Sequence, residues 1–514
     1  MDDLTPIIIG VGQFTEKQAD PLQALPPMGI AAESAKAAIR DTGLDTEFAR
    51  LIDTLLVVRI FPDSSNRPRL QIPFGRAENP PRAIARRIGA NPVRAIYGNV
   101  GGNTPQKYVN EMAGRISVGD VGIALLSGGE ANKTARNAMR AGVELDWQEH
   151  DEGSLEDRGI GETIMTPHEF AHGVGVPVQT YPLFENAIRG ERGHTIEQHM
   201  LSMGKLFEGF TNVAAENPYS FYGDKRTANE LATVTMENRL ISFPYPKWMN
   251  AVDSVNQGAS VIMTSVGKAK ELGVDPSCWI FLHGCAEANE KILVSERVNY
   301  SSSPAIAANS SLALNMAEKS INDINCFDIY SCFPSSVEIT AKELGLQEDD
   351  PRGLTVTGGL PFFGGPGNNY SMHGIAEMVT GLRKRPDEFG LITANGGYLS
   401  KHATGIYSAS AFPGKWELPD SVPCQQAIDA MTAPEFTETP SGKASVETYT
   451  VVFDKGSASR GIIIGRLDDC GRRFIANTPT DQTSFQAILN ADCLGARGVV
   501  VSNNNLNTFT LNGL

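Results

Sequence analysis

Leu125-Leu-Ser-Gly-Gly129 and Leu391-Ile-Thr-Ala-Asn-Gly-Gly397 decide the fold. Each is a short apolar run closing in a double glycine, as expected of a strand buried on both faces. Each follows a strand, a tight turn and a helix begun by proline. In the first case Ile96-Tyr97 enters Gly101-Gly-Asn-Thr-Pro105 and the helical stretch Gln106 to Ile116. In the second, Cys326-Phe-Asp-Ile-Tyr-Ser-Cys-Phe-Pro334 enters Ser335 to Leu344. Proline suits the first helical position because its missing N–H has no partner there anyway. The repetition predicts a duplicated α/β framework.

Outward from these two stretches the same grammar continues. Pro6-Ile-Ile-Ile-Gly-Val-Gly12, Leu51 to Ile60, Asp120 to Leu126 and Trp279 to Gly284 read as buried strands, and Ile30 to Thr42 and Ala305 to Lys319 as helices. Gly258 to Thr264 fits a strand or a helix. Alternation of this kind gives helical layers around a largely parallel sheet. Residues 145–235 lack the regularity, hold an acidic stretch and several histidines, and read as an inserted lobe. The expected division is a first half over 1–265 including that lobe, a second half over 266–412, and a further domain over 420–514. Lys415 to Pro440 is linker-like. Glu447 to Phe453, Gly461 to Leu467, Arg472 to Ala476, Ser484 to Leu489 and Gly498 to Ser502 then read as the short strands of a β-rich barrel.

With 514 residues, 41% hydrophobic and 20% charged, the chain can bury several cores. Its net charge of −15 argues against nucleic acid or an anionic membrane as partner. Residues 415–514 carry 8 Lys and Arg against 11 Asp and Glu, so the barrel lacks a nucleic-acid footprint as well. Seven cysteines, an odd number without a CxxC pair, suit free thiols in a reducing compartment. No apolar run is long enough for membrane insertion, and Met1-Asp-Asp-Leu-Thr5 is no secretory leader. The expected location is cytoplasmic.

Three local motifs compete for chemistry. His168-Glu-Phe-Ala-His172 matches the zinc-protease HExxH pattern, but Gly173-Val-Gly-Val-Pro177 stops the helix early and the third-histidine position of the longer form holds Val178. A zinc hydrolase through His168 and His172 is therefore a remote alternative, and no metal ligand is nominated. Gly10-Val-Gly12 is a weak dinucleotide signal because Thr15 stands at the third glycine position. Gly364-Gly-Pro-Gly367 running into Asn368-Asn369 is either a turn of close backbone approach or a ligand loop with those asparagines as donors. Two proline-started helices meeting at a pseudo-two-fold would aim unpaired N–H groups into one pocket.

Pro6-Ile-Ile-Ile-Gly-Val-Gly-Gln13, Ala124-Leu-Leu-Ser-Gly-Gly-Glu130, Phe243-Pro-Tyr-Pro-Lys247, Asp253 to Ala259 and Tyr330-Ser-Cys-Phe333 resemble the thiolase superfamily. Within it the chain is similar to the sterol-carrier-protein-associated thiolases and to the thiolase-like proteins of type 1, which carry an additional C-terminal domain. The resemblance covers roughly residues 5–412. It implies a five-layer αβαβα core of two similar halves and coenzyme A thioesters as substrate or ligand, with no permanently bound cofactor. It also implies nominal acyltransferase activity in lipid or acyl-CoA metabolism, in a monomer or homodimer.

The family's catalytic residues do not carry over. Val100-Gly-Gly-Asn103 stands at the nucleophilic cysteine, Tyr330 at the leading Asn or His, Gly365 at the oxyanion histidine, and Ala394-Asn-Gly396 at the late cysteine block. The nominated replacements are Tyr330 as donor, His402 or His373 as base or oxyanion donor, and Cys332 as a thiol activated by the helix start at Pro334. Asn103, Asn368, Asn395 and Gly396 are nominated to hold the thioester. The expectation is an acyl-CoA enzyme of non-standard chemistry, with a non-catalytic acyl-CoA-binding or scaffold protein as the alternative.

Overall fold

Alternate residues of the opening apolar run face two different cores. A computed structural model describes residues 2–65, 73–490 and 492–512. In β1 (Pro6–Thr15), Ile7 and Ile9 join one buried cluster, while Ile8 and Val11 join another. The next strands divide likewise: Leu55 and Val57 from Leu56 in β2 (Thr54–Val57), and Leu125 from Ala124 and Leu126 further on. A strand with apolar side chains on both faces is stable only between two layers.

The strands that follow are β3 (Arg94–Tyr97), β4 (Ile123–Ala131), β5 (Glu156–Asp157), β6 (Leu240–Ser242), β7 (Tyr245–Pro246), β8 (Asn256–Ser265), β9 (Ile280–Asn289), β10 (Cys326–Asp328), β11 (Phe389–Gly396) and β12 (Lys401–Ser408). Ten form one sheet in the order β10-β11-β12-β9-β1-β8-β4-β2-β3-β5. The duplication lies in that order. From its middle, β1-β8-β4-β2 runs one way and β9-β12-β11-β10 the other. Both series pair antiparallel, antiparallel, parallel. They join where Ile7 and Ile8 pair with Phe281 and Ile280.

Helices Thr104–Ser117 and Tyr370–Lys384 share the central layer. Tyr108, Met112 and Ile116 of one and Met372, Ile375 and Val379 of the other lie in a single cluster with Leu126 and Ile392. Pro27–Asp41 covers one outer face through Met28, Ala31 and Ala35. Pro304–Met316 and Pro334–Leu344 cover the other through Ile306, Val337 and Ile339. The result is the five-layer αβαβα arrangement.

Two details of the expected echo are corrected. By sheet order the counterpart of Thr104–Ser117 is Tyr370–Lys384, which precedes β11, and not the proline-started Pro334–Leu344, which lies in an outer layer. Nor does the first double glycine end its strand. Gly128 and Gly129 lie inside β4, paired with Ala259 and Gly258. A Cβ on Gly129 would stand 2.6 Å from the Ala31 nitrogen, so close helix packing and not a turn requires glycine there.

Between β5 and β6 lie the lobe helices Pro177–Arg192 and Ile196–Glu216, the second opened by a Thr195–Gln198 capping box. The C-terminal strands β13 (Ser441–Asp454), β14 (Ser457–Leu467), β15 (Arg473–Asn477), β16 (Arg497–Asn503) and β17 (Leu506–Leu511) follow. They close as β13-β14-β15-β17-β16 and back to β13, a five-stranded barrel filled by Val446, Tyr449, Ile463, Phe474 and Phe509. Ser484 to Leu489, expected as a strand, lies in helix Gln482–Asn490. Asp481 accepts the Ser484 N–H at its start, and Phe485 and Ile488 face the barrel core three residues apart. The barrel is bound to the lobe: Thr448 Oγ1 donates to the Leu183 carbonyl at 2.5 Å, and Asn186 Nδ2 to the Tyr449 carbonyl at 2.9 Å. No helix among the described residues is long and apolar enough to cross a membrane.

Candidate functional site

The two central helices begin side by side, and their first residues are stitched together. The Gly101 N–H donates to Asn368 Oδ1 at 3.1 Å, Ser371 Oγ to the Gly102 carbonyl at 2.7 Å, and Asn369 Nδ2 to the Gly128 carbonyl at 2.9 Å. Tyr330, just past β10, lies across this seam. A Cβ on Gly102 would run into the Tyr330 hydroxyl and stand 2.5 Å from the Asn395 carbonyl oxygen. A Cβ on Gly396 would run into Asn103 Oδ1. The turn at the family's nucleophile position is therefore glycine because Tyr330, Asn103 and the end of β11 fill its space. Tyr330, Asn103, Asn395, Gly396 and Cys332 are brought together here, all buried.

Asn395 Nδ2 donates to the Tyr181 hydroxyl at 2.9 Å and approaches Cys332 Sγ at 3.9 Å. Its Oδ1, like Asn103 Oδ1, Asn369 Oδ1 and Ser331 Oγ, is buried without a hydrogen-bond partner among the described residues. The free atom of Asn395 is thus an acceptor, where a thioester carbonyl needs a donor. The Tyr330 hydroxyl forms no hydrogen bond with the described residues, and burial holds its phenol well above the usual range. For Cys332 the shift runs opposite to the expected activation. Burial pushes its thiol up to about 12, outweighing the nearby helix start, so it is no thiolate at neutral pH.

His373 and His402 are each held by another partner. His373 Nδ1 bonds Gln13 Oε1 at 2.7 Å, and burial lowers its pKa to about 3. His402 pairs with Asn395 across the strands but gives its Nε2 to the Leu399 carbonyl at 3.1 Å. Burial lowers its pKa to about 4, with the buried Glu290–Arg297 ion pair nearby. Both are neutral at pH 7. Asn368 is a brace: its amide donates to the Arg59 carbonyl at 2.8 Å and to Ser64 Oγ at 3.0 Å while its oxygen takes the Gly101 N–H.

Two further residues enter the seam unannounced by the sequence. Tyr181, from the lobe, stacks on Phe333 at 4.4 Å and also accepts the Leu399 N–H at 3.2 Å. Nothing in the lobe's irregular sequence marks it. Lys401 reaches back to the Val100 carbonyl at 2.7 Å, and burial lowers its pKa. In the sequence it is one lysine opening a strand of mixed polar and apolar residues, which marks nothing.

The HExxH pair is not arranged for zinc. Its helix spans only Pro167–Ala171. His172 Nδ1 bonds the His168 carbonyl at 2.8 Å, its Nε2 accepts the Asn507 N–H of the barrel at 2.9 Å, and Asn507 Nδ2 lies 3.4 Å from His168 Nε2. Surface cavities of about 280, 480, 770 and 850 Å³ among the described residues lie elsewhere and are not lined by Tyr330, Asn103, Asn395 or Cys332.

Residues 423–505 match the additional C-terminal domain of thiolase-like protein type 1. No curated protein matches the chain. Among solved structures, a monomeric SCP2-thiolase-like protein type 1 from Mycobacterium smegmatis is 39% identical, with 99% of this chain and 100% of that one covered and a TM-score of 0.85. The Ltp2-ChsH2(DUF35) aldolase is 17% identical over 79% of this chain and 98% of its own, with a TM-score of 0.55. An acetyl-CoA acetyltransferase from Syntrophomonas wolfei is 15% identical over 79% and 99%, with a TM-score of 0.53. These last two share the fold of the core. The chain belongs to the SCP2-thiolase-like proteins of type 1.

Proposed function

We propose that this chain binds acyl-CoA thioesters without running thiolysis, as a ligand-binding or scaffold protein of lipid metabolism built on a thiolase framework. One observation carries this: Gly101-Gly102-Asn103, packed under Tyr330, occupies the turn where the family resemblance puts the nucleophile. Without a thiolate no acyl-enzyme forms by the usual route. Loss of one oxyanion donor alone costs about 10²–10³ in rate. A monomeric, cytoplasmic protein is proposed, in line with the monomeric Mycobacterium smegmatis relative and seven unpaired thiols.

Calorimetry with coenzyme A and acyl-CoAs tests binding, and acetoacetyl-CoA with coenzyme A tests thiolysis. The expected outcome is binding in the micromolar range, about −8 kcal/mol, with no turnover. Absence of heat up to about 1 mM ligand would remove the binding role, and brisk thiolysis would remove its non-catalytic character. A second reading, retro-aldol or retro-Claisen cleavage, is favoured by the free Tyr330 hydroxyl. If any acyl-CoA turns over, Tyr330→Phe lowers the rate at least about tenfold, and an unchanged rate ends that role.

A further inference from the structure

Three ionisable side chains meet where the lobe packs on the core, away from the seam. Glu185 of Pro177–Arg192, His199 of Ile196–Glu216 and Glu338 of Pro334–Leu344 are 0%, 0% and 1% exposed. One oxygen or nitrogen of each lies within 4.8 Å of the other two.

Their outward atoms are already held. Tyr245 donates to Glu185 Oε2 at 2.6 Å, Arg192 to Glu338 Oε1 at 3.2 Å, and His199 Nδ1 faces His194 Nδ1 at 3.4 Å. That leaves Glu185 Oε1, His199 Nε2 and Glu338 Oε2 turned inward. The first two are hydrogen-bonded to each other at 2.5 Å, a contact that a bound ion would replace. Glu338 Oε2 is buried without a hydrogen-bond partner among the described residues. A carboxylate oxygen taken from water and given no donor costs several kcal/mol unless a proton or a cation sits beside it. Each inward atom is oriented by a fixed partner on its far side, the arrangement that positions metal ligands. One imidazole nitrogen with two carboxylate oxygens is a donor set for a divalent first-row ion such as zinc. Glu338, alone of the three, also lines a cavity of about 770 Å³ with Arg192, His194 and Glu348, and that is the side from which an ion would enter.

We propose that Glu185, His199 and Glu338 form a binding site for one divalent transition-metal ion, entered from the side of the cavity lined by Arg192 and His194. The site is independent of the acyl-CoA reading and of the HExxH histidines.

The full chain, stripped with a chelator, is titrated with zinc ion and the bound metal counted after dialysis. One equivalent is expected, with cobalt(II) in its place giving the visible absorption of a low-coordinate site. Glu338→Gln keeps the side-chain volume and should weaken zinc binding at least about tenfold. Its melting temperature without metal is to match the parent's within a few degrees, and His199→Gln serves as the second variant if it does not. No zinc held below about 100 µM would assign the gap to a proton shared by the two carboxyls and end the proposal. Stoichiometric zinc that both variants bind as tightly as the parent would equally end it, by placing the ion elsewhere.

Discussion

The seam between the halves and the three-helix cluster at the lobe are both buried and polar, yet they are made of opposite materials. The seam is mostly amides, a phenol and a protonated thiol, Asn103, Asn369, Asn395, Tyr330 and Cys332, with Lys401 as its one cation among the described residues. The cluster holds two carboxyls and an imidazole with an arginine at its edge. A neutral amide left half-satisfied costs about 1–3 kcal/mol and can be carried by a large core. A bare buried carboxylate cannot, so it obliges the protein to supply a counter-charge. In the seam, complementary packing persists where the ionisable groups expected of the family resemblance are gone. The cluster has the ionisable groups and a cavity beside them.

Three experiments sharpen or break that contrast. The largest effect at neutral pH from packing alone is expected from Gly102→Ala, whose methyl collides with the Tyr330 hydroxyl and the Asn395 carbonyl. It should cost about 1–3 kcal/mol in denaturant unfolding, and adding Tyr330→Ala should return part of it. A fully tolerated alanine would mean the seam is looser than its packing indicates.

Next comes Glu130, the carboxyl beside the seam. A Cβ on Gly367 would collide with it, and burial raises its pKa to about 8. The folded chain keeps this proton up to about pH 8, whereas the unfolded chain releases it from about pH 4.5. Its stabilising contribution is therefore full below that lower value and lost as pH rises through the upper one, at up to about 1.4 kcal/mol per pH unit. Glu130→Gln should flatten this part of the stability profile. An unchanged slope would mean that the seam does carry a negative charge.

The smallest signal is chemical. At pH 8 iodoacetamide should label the exposed Cys470 and leave Cys332 unmodified until the chain unfolds. Labelling of Cys332 in the native protein would return a nucleophile to the seam.

Much of the fold was legible because strand periodicity and glycine placement are local. Ile7 to Val11 and Leu125 to Gly129 announce buried strands, and the two double glycines announce the duplication. What escaped depends on chain paths. Ser484 to Leu489 is too short an apolar run for period alone to separate strand from helix, and Asp481 was the overlooked cap. The match of Thr104–Ser117 to Tyr370–Lys384 is visible only once strand order is known. In the candidate site, Tyr330, Asn103 and Asn395 were singled out through the resemblance, and the structure sets them side by side at the seam. The partners of His373, His402 and Asn368 were not legible, because sequence proximity to a glycine loop does not tell which way a side chain turns. Glu185, His199 and Glu338 come from three separate helices, so no spacing rule could have joined them.

Strand β6 pairs Ser242 with Val452 of β13, so this short edge waits for a partner about 200 residues further along. During synthesis at about 5–20 residues per second, it stands open for roughly 10–40 s before that partner has even been made. The barrel's docking ledge is thus laid down long before the barrel, and any agent that shields nascent chains has its window of need there.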